Sequence, residues 1–245
     1  MSSIHAAALT DIGRVRSNNE DTFGIDAEHA LYTVCDGMGG AAAGEVASHL
    51  ACSTLLDVFA QHTEKLQMDD RLALAIHAAN AAVRLAGQQA GHHGMGTTLV
   101  AAAVADNQLL IGNVGDSRAY LLQHDTWEQI TSDHSYINEL IQQGSIRPED
   151  SNAPELQRFG STITRAIGAS EDVRPDFFPV ALRDGDTILL ASDGLTRYLD
   201  APEFATLIDP DDLEASCQRL VDSAKELGGI DNITCLLLRY IEQPS

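Results

Sequence analysis

Positive charge is scarce in this chain. Fifteen lysines and arginines stand against 36 aspartates and glutamates, a formal net charge of −21 over 245 residues. A field of that sign repels nucleic-acid phosphates and anionic lipid headgroups, so neither is an expected partner. An anionic substrate stays open, because a bound cation inverts the field locally. Long apolar runs are also missing: no stretch of 18 apolar residues occurs, so no membrane span is written. Residues 1–5 lack the basic start and apolar stretch of a secretion signal. The four cysteines, Cys35, Cys52, Cys217 and Cys235, show no close paired spacing. Cys35 and Cys235 sit in apolar runs and read as reduced core thiols. The nine histidines do not stand at zinc spacing with them. Low-complexity linkers and internal repeats are absent. The expectation is a cytoplasmic protein, a monomer, with one domain over residues 4–241.

Hydrophobic residues make up 44% of the chain, enough for a sizeable core. Leu31 to Cys35 is a short apolar run stopped by Gly37, Gly39 and Gly40, which predicts a buried strand. Ala47, Leu50, Ala51, Thr54, Leu55 and Val58 recur with helical spacing, and so do Leu72, Ala75, Ile76, Ala79, Val83 and Ala86. Thr97–Ala105, Leu109–Val114, Ser117–Leu122 and Trp127–Ile130 read as strands with gaps too short for helical crossovers, hence an antiparallel meander. Asp133 to Gln143 suggests a short helix, and Gly144 to Gly160, polar with two prolines, a mobile loop. Thr187–Ala191 and Ile233–Tyr240 complete the strands, with a helix over Asp211–Leu227 between them. Helices early and late around strands suggest two packed sheets flanked by helices.

Acidic residues recur where apolar strands end. Val34-Cys35 runs into Asp36-Gly37, Val114-Gly115 into Asp116-Ser117, and Ala191-Ser192 into Asp193-Gly194, while Asp231-Asn232 opens the last strand. One such aspartate is ordinarily a turn residue. Four, with Glu20-Asp21 ahead of another short strand, point to convergence. Carboxylates that share a small volume raise one another's pKa or bind a cation, and oxygen ligands suit Mg²⁺ or Mn²⁺. Arg16, within five residues of Glu20 and Asp21, has the fork to hold a phosphate near such a cation, or to form a surface ion pair.

The same segments carry a family resemblance. Thr10-Asp11-Ile12-Gly13-Arg14-Val15-Arg16-Ser17-Asn18-Asn19-Glu20-Asp21 resembles the opening motif of the metal-dependent PP2C (PPM) serine/threonine phosphatases. Asp36-Gly37-Met38-Gly39-Gly40 resembles the second. Gly96-Thr97-Thr98 and Gly112-Asn113-Val114-Gly115-Asp116-Ser117-Arg118 resemble the central strands. Ser192-Asp193-Gly194 and Asp231-Asn232-Ile233-Thr234 resemble the last two motifs. The resemblance implies an α+β fold, a four-layer α/β/β/α sandwich of two antiparallel β-sheets flanked by helices. It implies hydrolysis of phosphoserine and phosphothreonine in proteins at two Mn²⁺ or Mg²⁺ ions per chain. Asp36 would bridge the ions, the Gly37 carbonyl would ligate one, and Asp193 and Asp231 the other. Glu20 and Asp21 would hold waters or neighbouring groups, Asn232 would support them, and Arg16 would grip the phosphate. A third, weaker ion would sit near Asp116. Residues 144–160 match a variable flap that sorts substrates. A bacterial enzyme of this build, a bare catalytic domain, would oppose a Hanks-type serine/threonine kinase, and some are linked to secretion systems.

Two positions depart from the family pattern. Met38 stands where eukaryotic relatives carry a histidine assigned as general acid, so a proton for the leaving group must come from water or another residue. Arg197 stands where many relatives have an acidic residue that helps the third ion. Arg197 either points into solvent or lies against the cluster in place of the third ion's charge; with cations already flanking Asp193, the first is expected. The glycine-rich Gly39–Glu45 mimics a nucleotide phosphate loop, but Glu45 replaces its lysine. Rival readings are a two-metal nuclease or small-molecule phosphoesterase, which share the metal chemistry, and a non-enzymatic phosphoprotein binder.

Overall fold

A computed structural model describes residues 2–39, 43–63, 65–151, 153, 156, 159 and 162–242. In chain order come β1 (Ser2–Asp11), β2 (Asp21–Asp26), β3 (Leu31–Met38), α1 (Ala43–Gln61), α2 (Met68–Ala86), β4 (Gly96–Thr97), β5 (Leu99–Ala105) and β6 (Gln108–Val114). Then follow β7 (Arg118–Gln123), β8 (Thr126–Gln129), α3 (Tyr136–Gln142), β9 (Asp176–Ala181), β10 (Thr187–Ala191), α4 (Asp193–Thr196), α5 (Ala201–Leu207), α6 (Leu213–Glu226) and β11 (Ile233–Glu242). One sheet has the order β1-β11-β10-β7-β8; the other has β2-β3-β5-β6-β9, with β4 paired to the end of β3. Every pairing is antiparallel.

Strand periodicity explains the layering. Along β3, Leu31 and Cys35 face one way, into a core with Ala47, Leu55, Leu72 and Ile76 of α1 and α2. Tyr32 and Val34 face the other way and meet Ile188, Leu190, Leu236 and Leu238 of the opposite sheet. On that sheet Leu189, Cys235 and Leu237 turn outward again onto Phe204 of α5 and Leu220 and Val221 of α6. Both sheets are therefore covered on both faces, which is why their central strands read as unbroken apolar runs. The four-layer α+β sandwich is the fold expected. All four cysteines are buried and free.

Several local expectations are corrected. The segment from Thr97 to Ile130 is not one meander. β5 and β6 pair within one sheet, and β7 and β8 within the other, so the chain crosses between sheets at Gly115-Asp116-Ser117. The predicted strand over Thr97–Ala105 breaks at Thr98. There the side-chain hydroxyl accepts the Asp36 N–H at 2.9 Å, and the Thr98 N–H donates to the Asp36 carbonyl at 2.9 Å. β1, β9 and α5 were not foreseen. Within the expected 144–160 loop, Pro148–Asp150 forms a 3₁₀ turn. Residues 152, 154–155, 157–158 and 160 of that loop, and Gly40 of the second motif, lie outside the described residues. No helix among the described residues is long and apolar enough to cross a membrane.

Candidate active site

Strand ends from both sheets meet in a cavity of about 510 Å³ lined by Arg16, Glu20, Asp36, Asp116, Asp193 and Asp231. Gly37, Met38, Thr98, Ile163 and Asn232 also reach it. Glu20 precedes β2 and Asp36 lies near the end of β3. Asp116 sits on the crossing between sheets, Asp193 opens α4 directly after β10, and Asp231 precedes β11. The expected aspartates are thus brought together from positions nearly 200 residues apart.

Glycines make this approach possible. A Cβ at Gly37 would stand 2.1 Å from the Gly44 carbonyl oxygen and 2.6 Å from that of Glu20. A Cβ at Gly194 would stand 1.8 Å from the Asn232 carbonyl oxygen. Asn232 ties the loops around the cavity. Its Oδ1 accepts the Glu20 N–H at 2.8 Å, and its Nδ2 donates to the carbonyls of Ile12 and Asn18, each at 3.0 Å. Its own N–H donates to Asp231 Oδ1 at 2.9 Å. Asn18 Nδ2 donates to Glu20 Oε1 at 3.0 Å.

Asp21 does not line the cavity. It is buried below it, where Oδ2 accepts the hydroxyls of Ser192 and Thr234, each at 2.7 Å. Its Oδ1 is buried with no hydrogen-bond partner. A residue of one sheet is thereby held by two residues of the other.

The electrostatics are those of uncompensated negative charge. Burial, then the charges of Asp21, Asp193, Asp116 and Asp231, holds the Asp36 carboxyl well above the ordinary carboxylate range. Burial and the neighbouring Asp193 and Asp133 push Asp116 up to about 7. Asp21 also rises to about 7, chiefly through burial and against its two hydroxyl donors.

Two guanidinium groups offset part of this charge. Arg16 Nη2 donates to Asp231 Oδ2 at 2.7 Å. Arg197 Nη2 donates to Asp193 Oδ2 at 2.9 Å. The expectation that Arg197 points into solvent is overturned. One helical turn separates it from Asp193, and that carboxylate is a strong acceptor within reach. The Arg197 pairing has a local signal, the i,i+4 spacing from Asp193, whereas the Arg16 pairing has none, because Arg16 and Asp231 are 215 positions apart.

Among the described residues, no three His, Cys, Asp or Glu side chains are grouped to hold one ion unaided. The donor set nevertheless fits hard divalent cations. Mg²⁺ keeps several waters and is commonly held by only one or two carboxylates. Here the oxygens of Asp36, Asp193, Asp231 and Asp116 border one cavity, and the raised pKa values of Asp36 and Asp116 mark a demand for positive charge.

Comparisons with known proteins agree. The family model described as protein phosphatase 2C matches residues 13–230. The serine/threonine phosphatase stp of Listeria innocua is 39% identical over 244 residues, covering 96% of this chain and 95% of its own length. The catalytic domain of the serine/threonine protein phosphatase PstP, solved with two manganese ions, superposes with a TM-score of 0.85 at 33% identity, covering 99% of this chain and 100% of that one. PppA of Pseudomonas aeruginosa, described as a key regulatory component of T6SS, superposes with a TM-score of 0.82 at 30% identity over 98% of this chain and 100% of that one.

Proposed function

Because this chain belongs to the protein phosphatase 2C family, we propose that it hydrolyses phosphoserine and phosphothreonine in proteins at a centre of two Mn²⁺ or Mg²⁺ ions. The observation that carries this reading is the single cavity in which Asp36, Asp193 and Asp231 face one another beside Arg16. Asp36, the Gly37 carbonyl, Asp193 and Asp231 would hold the two ions, and Asp116 would hold a third, weaker one. Bound there, the ions supply positive charge for the phosphate oxygens and lower the pKa of an attacking water.

The chain's own residues do the rest. Arg16 is 51% exposed, so its guanidinium is free to swing from Asp231 to a phosphate, which it grips through two parallel N–H bonds. It then neutralises oxygens on which charge builds during in-line displacement. Asn232 holds Glu20 and Asp231 in register, and Glu20 and Asp21 orient neighbouring waters and groups. Met38 has no proton to donate, so the leaving oxygen is protonated by water or by another residue. Residues 144–160 act as a flap that sorts substrates.

A cytoplasmic monomer that opposes a serine/threonine kinase completes the proposal. The likeness to PppA supports a link to secretion-system regulation. A DNA substrate is disfavoured by the charge of −21.

One assay tests the reading. The protein is offered p-nitrophenyl phosphate, a phosphothreonine peptide and a DNA duplex, with Mn²⁺ and with EDTA. Both phosphate esters should be cleaved with Mn²⁺ only, and DNA left intact. Asp193→Ala should lower kcat on the order of a hundredfold or more, with an unchanged circular dichroism spectrum. Full turnover in excess EDTA overturns the two-ion centre, and cleavage of DNA alone favours the nuclease reading.

A further inference from the structure

His134 is almost fully buried, at 4% exposure, and makes none of the contacts used above. Two of its bonds go to one residue, Gly115. The Gly115 N–H donates to His134 Nδ1 at 3.0 Å, and the His134 N–H donates to the Gly115 carbonyl at 2.9 Å. Both backbone polar groups of Gly115 are thus bonded to His134, and the carbonyl also accepts Asn113 Nδ2 at 3.3 Å. Gly115 has φ +111°, and a Cβ there would stand 2.6 Å from Thr98 Cγ2, so only glycine fits. It is the residue at which the chain leaves β6 for the other sheet, and the next residue is Asp116.

The ring's protonation follows from these bonds. A backbone N–H only donates, so Nδ1 is the acceptor and the proton sits on Nε2. Nε2 lies 3.0 Å from Asp176 Oδ2, which takes that proton's hydrogen bond. Arg165 Nη1, 3.1 Å from Nε2, donates to Asp176 Oδ1 at 2.9 Å and to the Arg174 carbonyl at 3.2 Å. Asp176 therefore bridges two donors and fixes the imidazole orientation. Burial lowers the His134 pKa, in keeping with a neutral ring. On its other side, the His134 carbonyl accepts the Thr164 N–H at 2.8 Å, and Ser135 pairs with Ile163, which lines the cavity.

We infer that His134 is a positioning residue that sets the Asp116 carboxylate in the cavity by gripping Gly115, while pinning the Ile163 side of the same cavity through its own backbone. The inference rests on the phosphatase reading for the use made of Asp116, but its core, a δ-nitrogen that orders the Gly115-Asp116 turn, is a statement about this chain alone. A histidine required merely to fill space would be replaced by any side chain of similar volume. A positioning histidine is replaced only by one with an acceptor at the δ position. Asn supplies an acceptor there, Gln supplies its polar atoms one bond further out, and Leu supplies none.

The test uses wild type, His134→Asn, His134→Gln, His134→Leu and Asp116→Ala, each checked by circular dichroism. Mn²⁺ binding is followed by calorimetry, hydrolysis of a phosphothreonine peptide by kcat and KM, and ring protonation by imidazole ¹⁵N shifts. Wild type should show an Nε2-protonated ring and a weaker Mn²⁺ step that Asp116→Ala removes. Asn should keep that step within about threefold. Gln and Leu should weaken it roughly tenfold, the scale of one buried amide left unpaired, and leave tighter binding unchanged. Asn as poor as Leu overturns the inference, and so does a folded Leu variant with wild-type binding. Absence of an Asp116-dependent step in wild type also overturns it. Should Leu fail to fold, the contrast between Asn and Gln decides. A wild type that binds Mn²⁺ but cleaves no phosphopeptide sinks the phosphatase reading instead, and the contrast in binding still decides the role of His134.

Discussion

Arg197 occupies Asp193: its Nη2 lies 2.9 Å from Oδ2, one helical turn along α4. An internal cation thus sits on a carboxylate proposed to hold a metal ion, and the two compete. Arg197→Ala should lower the Mn²⁺ concentration for half-maximal activity roughly three- to tenfold, the size of a half-exposed ion pair of about 1 kcal/mol. Arg197→Asp should lower it further. Metal titration by calorimetry and by activity measures this. An unchanged or weakened titration in Arg197→Ala would mean that the pair opens without cost when a cation arrives.

Arg16 makes the analogous contact with Asp231 at 2.7 Å, but its proposed task is phosphate binding. Arg16→Ala should raise KM for a phosphopeptide roughly ten- to hundredfold, as expected for a charge-assisted pair of about 1.5–3 kcal/mol. It should also tighten Mn²⁺ binding slightly, because Asp231 loses its internal partner. Wild-type KM in this variant would reduce Arg16 to a surface ion pair.

Stability of the metal-free protein should depend on pH in an unusual direction. Asp21 is raised from the ordinary 3.8 to about 7 by burial. Between those values the folded state binds more protons than the unfolded one, so stability falls as pH rises. Asp36 and Asp116, also raised, act in the same sense as Asp21; the lowered carboxyls of Asp11 and Asp176 act only below that window, and His134, lowered from 6.5 by burial, acts in the opposite sense. Asp36 feels the charge of Asp21, so a comparison with Asp21→Asn reports Asp21 together with its coupling to Asp36. In EDTA, wild type should gain stability relative to Asp21→Asn on going from pH 7.5 to pH 5, measured by thermal melts. Parallel melting curves for the two proteins across that range would show that Asp21 ionises normally.

Gly194→Ala should cripple the site through sterics. Its Cβ would meet the Asn232 carbonyl oxygen at 1.8 Å, a backbone atom that no rotamer change can move, at a junction between α4 and the start of β11. Relief requires a shift of the 231–232 segment, at a cost of about 1–3 kcal/mol or more. A lowered Tm together with weakened Mn²⁺ binding is expected. A variant with wild-type Tm and activity would contradict the close approach.

Much of this fold was legible because its central strands are apolar on both faces: Leu189 and Leu190 of β10 are buried in different cores, and so are Leu236 and Leu237 of β11. β1 was hidden because Ala6, Ala7 and Ala8 carry little strand preference, and it is defined by ten residues of pairing with β11. β9 contains Pro179, a residue type that weakens a strand signal but is tolerated on an edge strand such as this one. Gly115-Asp116 read as a hairpin turn, because local sequence does not say which sheet the next strand joins. At the site, aspartates at strand ends beside glycine stood out by position. The contacts of Arg16 and His134 did not, since each depends on a partner that only the tertiary fold brings near, whereas the i,i+4 spacing of Asp193 and Arg197 was there to be read.

Asp21 is fastened by Ser192 and Thr234, and Asn232 by the Glu20 N–H, so every one of these bonds runs from one sheet to the other. Glu20 and Asp36 belong to one sheet, Asp193 and Asp231 to its partner. The cavity is a seam, and neither sheet alone carries a complete ligand set. A refolding chain should therefore acquire cation affinity only when the two sheets dock, after either has formed by itself. Divalent cations should slow the unfolding rate more than they speed folding. A proteolytic nick or mutation that loosens the inter-sheet core far from the cavity, around Ile188 or Leu238, should register first as lost metal affinity.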